Sequence, residues 1–207
     1  MDKGSTRDVL LDAGRRVFLE RGYNHSGIET ILQSAGVPKG SFYHYFGSKE
    51  EFGLEVLNRF AECVEADLDR HLGDRTLRPL ERLARHGDSV CERLEGRGCR
   101  NGCLVGNLSQ EMADQSETFR ARLDQIFREW RARYAACLKE ARDSGEIDPG
   151  LDVDDLADFW LSGWQGAVLR SKTARNAGPL RTFLNLMFGY VLRTSNETTR
   201  RTEDGTR

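Results

Sequence analysis

The sequence lacks several features that would indicate other classes of protein. Its 207 residues include only four prolines, so long helices can run without interruption. No run of about 18 apolar residues occurs, which excludes a membrane-spanning helix, and the first residues lack the apolar core of a secretion signal. With 31 basic and 33 acidic residues, neither charge dominates. We therefore expect a cytoplasmic protein in which any contact with nucleic acid comes from a local patch.

Cysteine usage argues against a fold held together by disulfides. The five cysteines are an odd number, and cytoplasmic thiols normally stay reduced. A free cysteine in a helical protein is usually a small apolar side chain of the core. We assign Cys63, Cys91 and Cys137 to that role.

Helical periodicity runs along nearly the whole chain, and no convincing alternating pattern of a strand is visible. The pattern predicts an all-α protein of roughly nine helices. We expect an N-terminal three-helix domain with a helix-turn-helix over residues 1–47 and a larger helical domain over 48–194. The polar and charged residues 195–207 are expected to form a disordered tail.

Local signals mark several helix ends. The first helix is predicted to begin after Ser5 or Thr6 and to end at Gly22. Ser48, followed three residues later by a glutamate, is the capping-box pattern that opens a long helix. Residues 96–102 are the most glycine-dense stretch and are predicted to be a loop.

The strongest functional pattern lies in residues 22–54. Two short helical stretches flank the turn Ala35-Gly36-Val37-Pro38, which is typical of a helix-turn-helix whose second helix enters the major groove of DNA. The outward positions of that helix combine a cation, a small residue, a hydroxyl and polar aromatic tips, all groups that reach phosphates and base edges. These positions are Lys39, Gly40, Ser41, Tyr43, His44 and Tyr45. We interpret Tyr45 and Phe46 as core or wedge residues.

The run from Ala35 to Phe46, followed by Ser48-Lys49-Glu50, resembles the signature of the TetR family. The resemblance implies a repressor that binds double-stranded operator DNA and releases it when a small molecule is sensed by the C-terminal domain. It also implies operator contacts by Lys39, Gly40, Ser41, Tyr43 and His44, and a phosphate contact by Lys49. Ser26, at the cap of the first short helix, would bring a hydroxyl to another phosphate.

A homodimer is the expected assembly. Two recognition helices must lie about one DNA turn apart to read a palindromic operator. An apolar stripe over residues 180–192 and a second helix that carries Phe159 and Gly163 are predicted to form a four-helix interface between two copies. The alternative is that both stripes belong only to the core of one chain.

A second resemblance concerns the sensed molecule. The run Gly102–Glu111, together with Trp164, Gln165 and Lys172, is similar to a TetR subgroup of repressors of electrophile-detoxifying reductases and of acrylate or halogenated-compound metabolism. The resemblance implies that Cys103 is the sensing thiol and that Lys172 lies near it. We expect Cys103 at a helix N-terminus, where the helix dipole favours a thiolate.

Noncovalent sensing stays open as an alternative. Aromatic side chains with a few polar neighbours can line an apolar pocket. The candidates are Phe119, Trp130, Tyr134, Trp160, Trp164 and Gln165. In the covalent mechanism, Cys99 is a candidate resolving partner for Cys103.

A thiol-dependent enzyme that uses Cys103 is a distant alternative, and we expect neither a cofactor nor a metal. The glycines of residues 96–102 have the wrong spacing for a phosphate-binding loop. Cys99 and Cys103 are too few for a zinc site, and His71 and His86 are interpreted as solvated residues on charged helix faces. Repression and activation are not distinguished, because the sign of regulation depends on where the operator lies.

Overall fold

The computed structural model describes residues 5–193, and the tail predicted over 195–207 lies outside the described residues. Within 5–193 the chain folds into nine α-helices, and no strand occurs there. The helices are α1 (Thr6–Arg21), α2 (Ile28–Ala35), α3 (Gly40–Tyr45), α4 (Lys49–Leu72), α5 (Pro79–Glu95), α6 (Leu104–Met112), α7 (Glu117–Asp143), α8 (Val153–Ala174) and α9 (Gly178–Leu186), with a π-helical turn (Met187–Val191) after α9. The predicted all-α fold is confirmed.

The predicted caps explain where α1 and α4 begin. The Ser5 hydroxyl oxygen accepts a hydrogen bond of 3.3 Å from the backbone N–H of Asp8, which satisfies a donor in the first turn of α1. The backbone N–H of Glu51 donates to the Ser48 hydroxyl over 3.0 Å. The return bond of this capping box comes from the N–H of Gly47, 2.8 Å from the Glu51 carboxylate, and not from Ser48 itself.

The chain divides into two compact units. The first comprises the described residues up to Glu65 together with Asn101–Phe127, and the second comprises Ala66–Arg100 and the described residues from Arg128 onward. The first unit therefore holds α1, α2, α3 and α6, whereas the second holds α5, α8 and α9. Helices α4 and α7 contribute to both units. The domain boundaries predicted from the sequence stay predictions.

An aromatic cluster forms the centre of the first unit. The ring of Phe52 on α4 lies 5.1 Å from Phe42 and 4.9 Å from Phe46, measured between ring centroids. Phe18 on α1 packs at 6.0 Å against the same ring. A Cβ atom added to Gly14 would lie 2.4 Å from Phe52, so α1 and α4 approach as closely as a glycine allows. This packing anchors the start of α4 to α1 and α3.

Close helix packing also defines the second unit. A Cβ atom added to Gly87 on α5 would lie 2.7 Å from Leu184, and one added to Gly163 on α8 would lie 2.5 Å from Phe183. Helix α9 is therefore packed tightly against both α5 and α8. Trp160 of α8 is fully buried beside Phe183, at 5.4 Å between ring centroids.

The described part of the chain contains neither a candidate membrane-spanning helix nor a candidate metal cluster. None of its helices combines the length and the apolar character needed to cross a membrane. Across residues 5–193, no group of three or more His, Cys, Asp or Glu side chains is arranged to hold a metal ion.

Candidate DNA interface and sensor residues

A left-handed glycine builds the turn between α2 and α3. Gly36 has φ +67° and ψ 32°, a conformation that ordinary side chains disfavour. The backbone N–H of Val37 donates to the Leu32 carbonyl over 3.2 Å, and that of Ser41 donates to the Pro38 carbonyl over 3.0 Å. The predicted helix-turn-helix is therefore present, and its turn needs glycine at position 36.

The two faces of α3 differ in what they contact. Phe42 is fully buried in the aromatic cluster, whereas the neighbouring Tyr43 side chain is 61% exposed. Among the predicted operator contacts, Lys39, Gly40, Tyr43 and His44 are exposed and Ser41 is half-buried. The structure thus brings these five residues together on one short helix and its N-cap.

The two residues at the end of α3 also differ in burial. Phe46 is buried, in agreement with its interpretation as a core residue. Tyr45 is exposed, and its ring packs edge-on against His44 at 4.8 Å between centroids. A Cβ atom added to Gly40 would meet no atom within 4 Å, so the space in front of the first turn of α3 is open.

The position of Ser26 differs from the prediction. The N-cap of α2 is Gly27, and it makes no side-chain capping bond. Ser26 precedes that cap and is fully buried, and its hydroxyl donates a short hydrogen bond to the Gly22 carbonyl. A buried hydroxyl cannot meet a DNA phosphate, so Ser26 shapes the turn after α1 instead.

Lys49 is engaged within the first unit. Its Nζ donates to the Tyr23 carbonyl over 2.7 Å and lies 4.3 Å from the centre of the Tyr23 ring. Burial lowers the pKa of the Lys49 ammonium group, and the negative charge of Glu111 partly opposes this shift. An ammonium group carries three N–H donors, so the Tyr23 carbonyl uses one of them.

A carboxylate that the sequence analysis did not single out holds the segment between α1 and α2. Glu111, on α6, accepts hydrogen bonds from two consecutive backbone N–H groups, at 2.8 Å from Tyr23 and 2.6 Å from Asn24. These contacts join residues that lie more than 80 positions apart in the chain. The sequence around Glu111 does not distinguish it from any other glutamate near the end of a helix. The contact therefore could not be predicted from a local pattern.

Cys103 lies where it was predicted, at the N-cap of α6. Its side chain is half-exposed, and it follows two left-handed residues, Asn101 with φ +72° and Gly102 with φ +66°. The side-chain amide of Asn107 donates to the Asn101 carbonyl over 2.8 Å and ties this loop to the first turn of the helix. Cys103 therefore lies at the N-terminal end of α6, which is the positive end of the helix dipole.

The other predicted sensor residues belong to the second unit. Trp164, Gln165 and Lys172 all lie on α8. Trp164 is buried, whereas Gln165 and Lys172 are half-buried. The aromatic candidates for a ligand pocket are divided between the two units. Phe119 belongs to the first unit and packs against Tyr23 at 5.1 Å between ring centroids, whereas Trp160 and Trp164 belong to the second.

His86 corrects an interpretation made from the sequence. It is only 3% exposed and its ring stacks on Trp164 with 5.3 Å between centroids. Burial lowers its pKa to about 4, although the Asp67 carboxylate, 3.8 Å from Nε2, favours the charged form. The periodicity of α5 contains the missed signal, because His86 shares a helical face with buried Leu83 and Gly87. His71 is half-buried and also not fully solvated.

The remaining cysteines fall into two groups. Cys91 and Cys137 are buried, as predicted, and burial raises the pKa of both thiols, that of Cys137 to about 12. Cys99 is buried as well, and burial raises its pKa. Cys63 is exposed on α4 within the chain, so its assignment to the core was wrong.

Both the N-terminal and the C-terminal part of the chain match models of known protein families. Residues 10–56 match the family described as bacterial regulatory proteins, tetR family, and residues 79–187 match the tetracyclin repressor-like C-terminal domain. The HTH-type transcriptional repressor DhaR of Mycobacterium sp. (strain GP1) is 40% identical, over 93% of this chain and 95% of its own. The HTH-type transcriptional repressor NemR of Escherichia coli K12 is 32% identical, over 86% and 90%.

Solved structures show the same likeness. A crystal structure of a regulatory protein TetR from Rhodobacter sphaeroides matches with a TM-score of 0.84 and 40% identity, covering 88% of this chain and 96% of the other. The reduced form of E. coli NemR matches with a TM-score of 0.80 and 32% identity, covering 86% and 93%.

Proposed function

The chain belongs to the TetR family of transcriptional regulators, is not an enzyme, and on that basis we propose that the exposed face of α3 binds operator DNA. The contrast within α3 carries this proposal, because Phe42 anchors the helix while Tyr43 and His44 project from it. Lys39 and Ser41 add a cation and a hydroxyl, and Gly40 lets the backbone approach a groove closely.

Lys49 extends the proposed interface to the start of α4. Its ammonium group donates to the Tyr23 carbonyl and keeps further N–H donors for a DNA phosphate. Ser26 contributes indirectly, since its buried hydroxyl holds the Gly22 carbonyl and thereby the segment that leads into α2.

We infer that the regulator acts as a repressor. The related proteins DhaR and NemR are both named transcriptional repressors. A protein bound across a promoter blocks transcription until its affinity for the operator falls. Activation from an operator upstream of the promoter is the competing outcome, and the same DNA-binding surface would serve it.

The proposed assembly on DNA is a homodimer built on α8 and α9. Both helices and the π-helical turn after α9 present apolar side chains to solvent in the single chain: Phe159, Leu169, Leu186 and Tyr190. Tyr190 is 77% exposed, and together with the three aliphatic and aromatic side chains it forms the apolar surface that a second copy would cover. Cβ atoms added to Gly166 or Gly189 would meet nothing within 4 Å, so a second copy has room to approach the helix backbones. Two-fold symmetry would then pair two copies of α3 for a palindromic operator.

The proposed sensing step is alkylation of Cys103 by an electrophile. The N-cap position of Cys103 favours its thiolate through the helix dipole, and the half-exposed side chain gives a reagent access. The thiolate sulfur would add to the β-carbon of an enal or a maleimide and form a C–S bond. The π electrons move toward the carbonyl, and the α-carbon takes a proton from water. The adduct adds bulk at the first turn of α6.

A noncovalent ligand in the second unit is the second candidate. Nδ1 of His86 and Nε1 of Trp160 are both buried, and neither has a hydrogen-bond partner among the described residues. Buried polar atoms of this kind usually meet a water molecule or a ligand. An uncharged molecule with an aromatic or apolar body suits this site. Trp164, Gln165 and Lys172, which lie on α8 together with Trp160, would provide further contacts.

The test of the proposed function begins with an operator fragment enriched from genomic DNA by the protein itself. Binding to this fragment is then measured before and after treatment with N-ethylmaleimide, for the wild type, Cys103→Ser and Cys63→Ser. The last variant is a matched control, because Cys63 is an exposed cysteine on another helix. Release is expected for the wild type and Cys63→Ser but not for Cys103→Ser.

Equal release of all three proteins would reject Cys103 as the sensor. Release of none would reject thiol sensing, and direct the search to ligands of the His86 and Trp160 cluster. Failure to enrich any DNA fragment would contradict the proposed operator binding itself.

A further inference from the structure

Helix α6 carries a predicted sensor at one end and a contact with the helix-turn-helix at the other. Cys103 caps its N-terminus, and Glu111 lies near its last residue, eight positions later. At a rise of 1.5 Å per residue this separation is about 12 Å. Between them, one face of α6 is buried through Leu104, Val105 and Leu108, and Met112 continues that face at the end of the helix. A short helix packed along one face moves as a unit, because close-packed side chains resist local bending.

The contact at the far end uses both oxygens of one carboxylate. Glu111 Oε2 accepts from the Tyr23 N–H at 2.8 Å and Oε1 accepts from the Asn24 N–H at 2.6 Å. Hydrogen bonds to an ionised group are stronger than neutral ones, and two successive N–H groups form a concave anion site. A Cβ atom added to Gly22 would lie 2.9 Å from Oε2, and Gly22 has φ +80°, so this position also suits glycine alone.

The clamped segment leads directly into the DNA-binding helices. Tyr23 is further held by Lys49, whose Nζ donates to its carbonyl, and by the ring of Phe18 at 5.3 Å between centroids. The N-cap of α2, Gly27, makes no side-chain capping bond. The local bonds of this segment run from Ser26 to the carbonyls of Gly22 and Tyr23, so the N–H groups of Tyr23 and Asn24 are held by the distant Glu111.

We propose that Glu111 is the positioning residue through which α6 sets the orientation of α2 and α3. A displacement that begins at the Cys103 end of α6 would pull on the backbone of Tyr23 and Asn24 through one carboxylate. This inference rests on the proposed binding of operator DNA by α3. It extends that function by naming the side chain that links the sensor helix to the DNA-binding helices.

The test compares Glu111→Ala and Glu111→Gln with Gln110→Ala. Glutamine keeps the shape of the side chain but has one acceptor oxygen, so it separates loss of the clamp from loss of packing. Gln110 is an exposed neighbour on the same helix and serves as the matched control. The measurements are amide hydrogen exchange at Tyr23 and Asn24, operator affinity, and the ratio of operator affinities before and after N-ethylmaleimide treatment.

In Glu111→Ala we expect both amides to lose their protection and operator affinity to fall about tenfold. The ratio of affinities before and after modification should approach one, while mass spectrometry still finds Cys103 modified. Glu111→Gln should show intermediate values, and Gln110→Ala should match the wild type.

Unchanged amide protection or unchanged operator affinity in Glu111→Ala would overturn the proposal, as would a wild-type affinity ratio in that variant. If the wild type itself is not released by the reagent, only thiol sensing fails. Amide exchange and operator affinity then still decide the role of Glu111. If the wild type binds no operator, the proposed function fails, and amide exchange alone reports whether the clamp forms.

Discussion

Helices α3 and α8 use aromatic side chains in opposite ways. On α3, one phenylalanine is buried and Tyr43 is directed to solvent with its hydroxyl free to meet a partner outside the chain. On α8, Trp160 and Trp164 are buried and Trp164 stacks on His86, and within residues 5–193 neither Nε1 of Trp160 nor Nδ1 of His86 has a hydrogen-bond partner. The first arrangement builds a contact surface on a rigid anchor, whereas the second encloses polar groups inside an apolar core.

The difference shows which substitutions affect binding and which affect folding. A side chain that projects from an anchored helix can be removed without disturbing the core. A ring that fills the core cannot be removed without leaving a cavity. Removal of a side chain that projects from α3 should therefore lower operator affinity at constant stability, and removal of a ring buried on α8 should lower the free energy of unfolding.

The largest expected effect is on stability, in Trp160→Ala. Removing this fully buried ring should lower the free energy of unfolding by about 3–5 kcal/mol, through lost burial and the cavity left behind. Chemical denaturation followed by circular dichroism measures the loss. Trp160→Phe is the matched control and should cost less, because it keeps a ring and removes an N–H that meets no hydrogen-bond acceptor in the described part of the chain. Equal stability of Trp160→Ala and wild type would show that α8 is not built as described.

The second largest expected effect is the pH dependence of the free energy of unfolding that results from the burial of His86. Its pKa is about 4 in the fold and 6.5 without burial, so the unfolded chain binds more protons between these values. Stability should therefore fall as the pH drops from about 6.5 to about 4, by up to roughly 3 kcal/mol. His86→Phe keeps a ring against Trp164 and should remove this part of the pH dependence. Identical pH profiles of the two proteins would contradict a buried neutral histidine.

On the DNA-binding side, Lys49→Ala tests how the first turn of α4 contributes. We expect operator affinity to fall about tenfold, and the slope of log affinity against log salt to decrease by about one, because one phosphate contact is lost. Lys139→Ala is the control, since Lys139 pairs with Asp143 in the second unit. A loss of affinity with an unchanged slope would mean that Lys49 acts only by holding Tyr23.

The smallest expected effect on stability is an increase, and it is expected together with a loss of operator affinity. Gly40→Ala should raise the free energy of unfolding by about 0.5–1 kcal/mol, because alanine favours a helix more than glycine does. The added methyl group meets nothing in the chain, yet it would lie between the backbone of α3 and a bound groove. Operator affinity should therefore fall while stability rises. A variant that binds the operator as well as the wild type would remove Gly40 from the interface.

Much of the fold was predictable because its signals are local. The hydroxyl of Ser5 and the pair Ser48 and Glu51 cap helices through neighbours three residues away. The turn at Gly36 needs a backbone conformation that glycine adopts readily, so its place in the sequence fixes its place in the structure.

The parts that escaped prediction depend on distant contacts. Glu111 captures the backbone of Tyr23, and backbone N–H groups leave no trace in a sequence. His86 was assigned to the surface because charged residues flank it, although it occupies a buried face of α5. Ser26 has the residue type expected of a phosphate contact, but the fold buries its hydroxyl against Gly22.

The central claim is that the exposed face of α3 contacts operator DNA, and the most direct measurement is the operator affinity of Tyr43→Ala against that of Tyr190→Phe. The control keeps the exposed ring on the proposed dimer face and removes only its hydroxyl. We expect Tyr43→Ala to weaken operator binding roughly ten- to a hundredfold at unchanged stability, and the control to bind as the wild type does. Wild-type affinity in Tyr43→Ala would contradict the assignment of α3 as the DNA-reading surface.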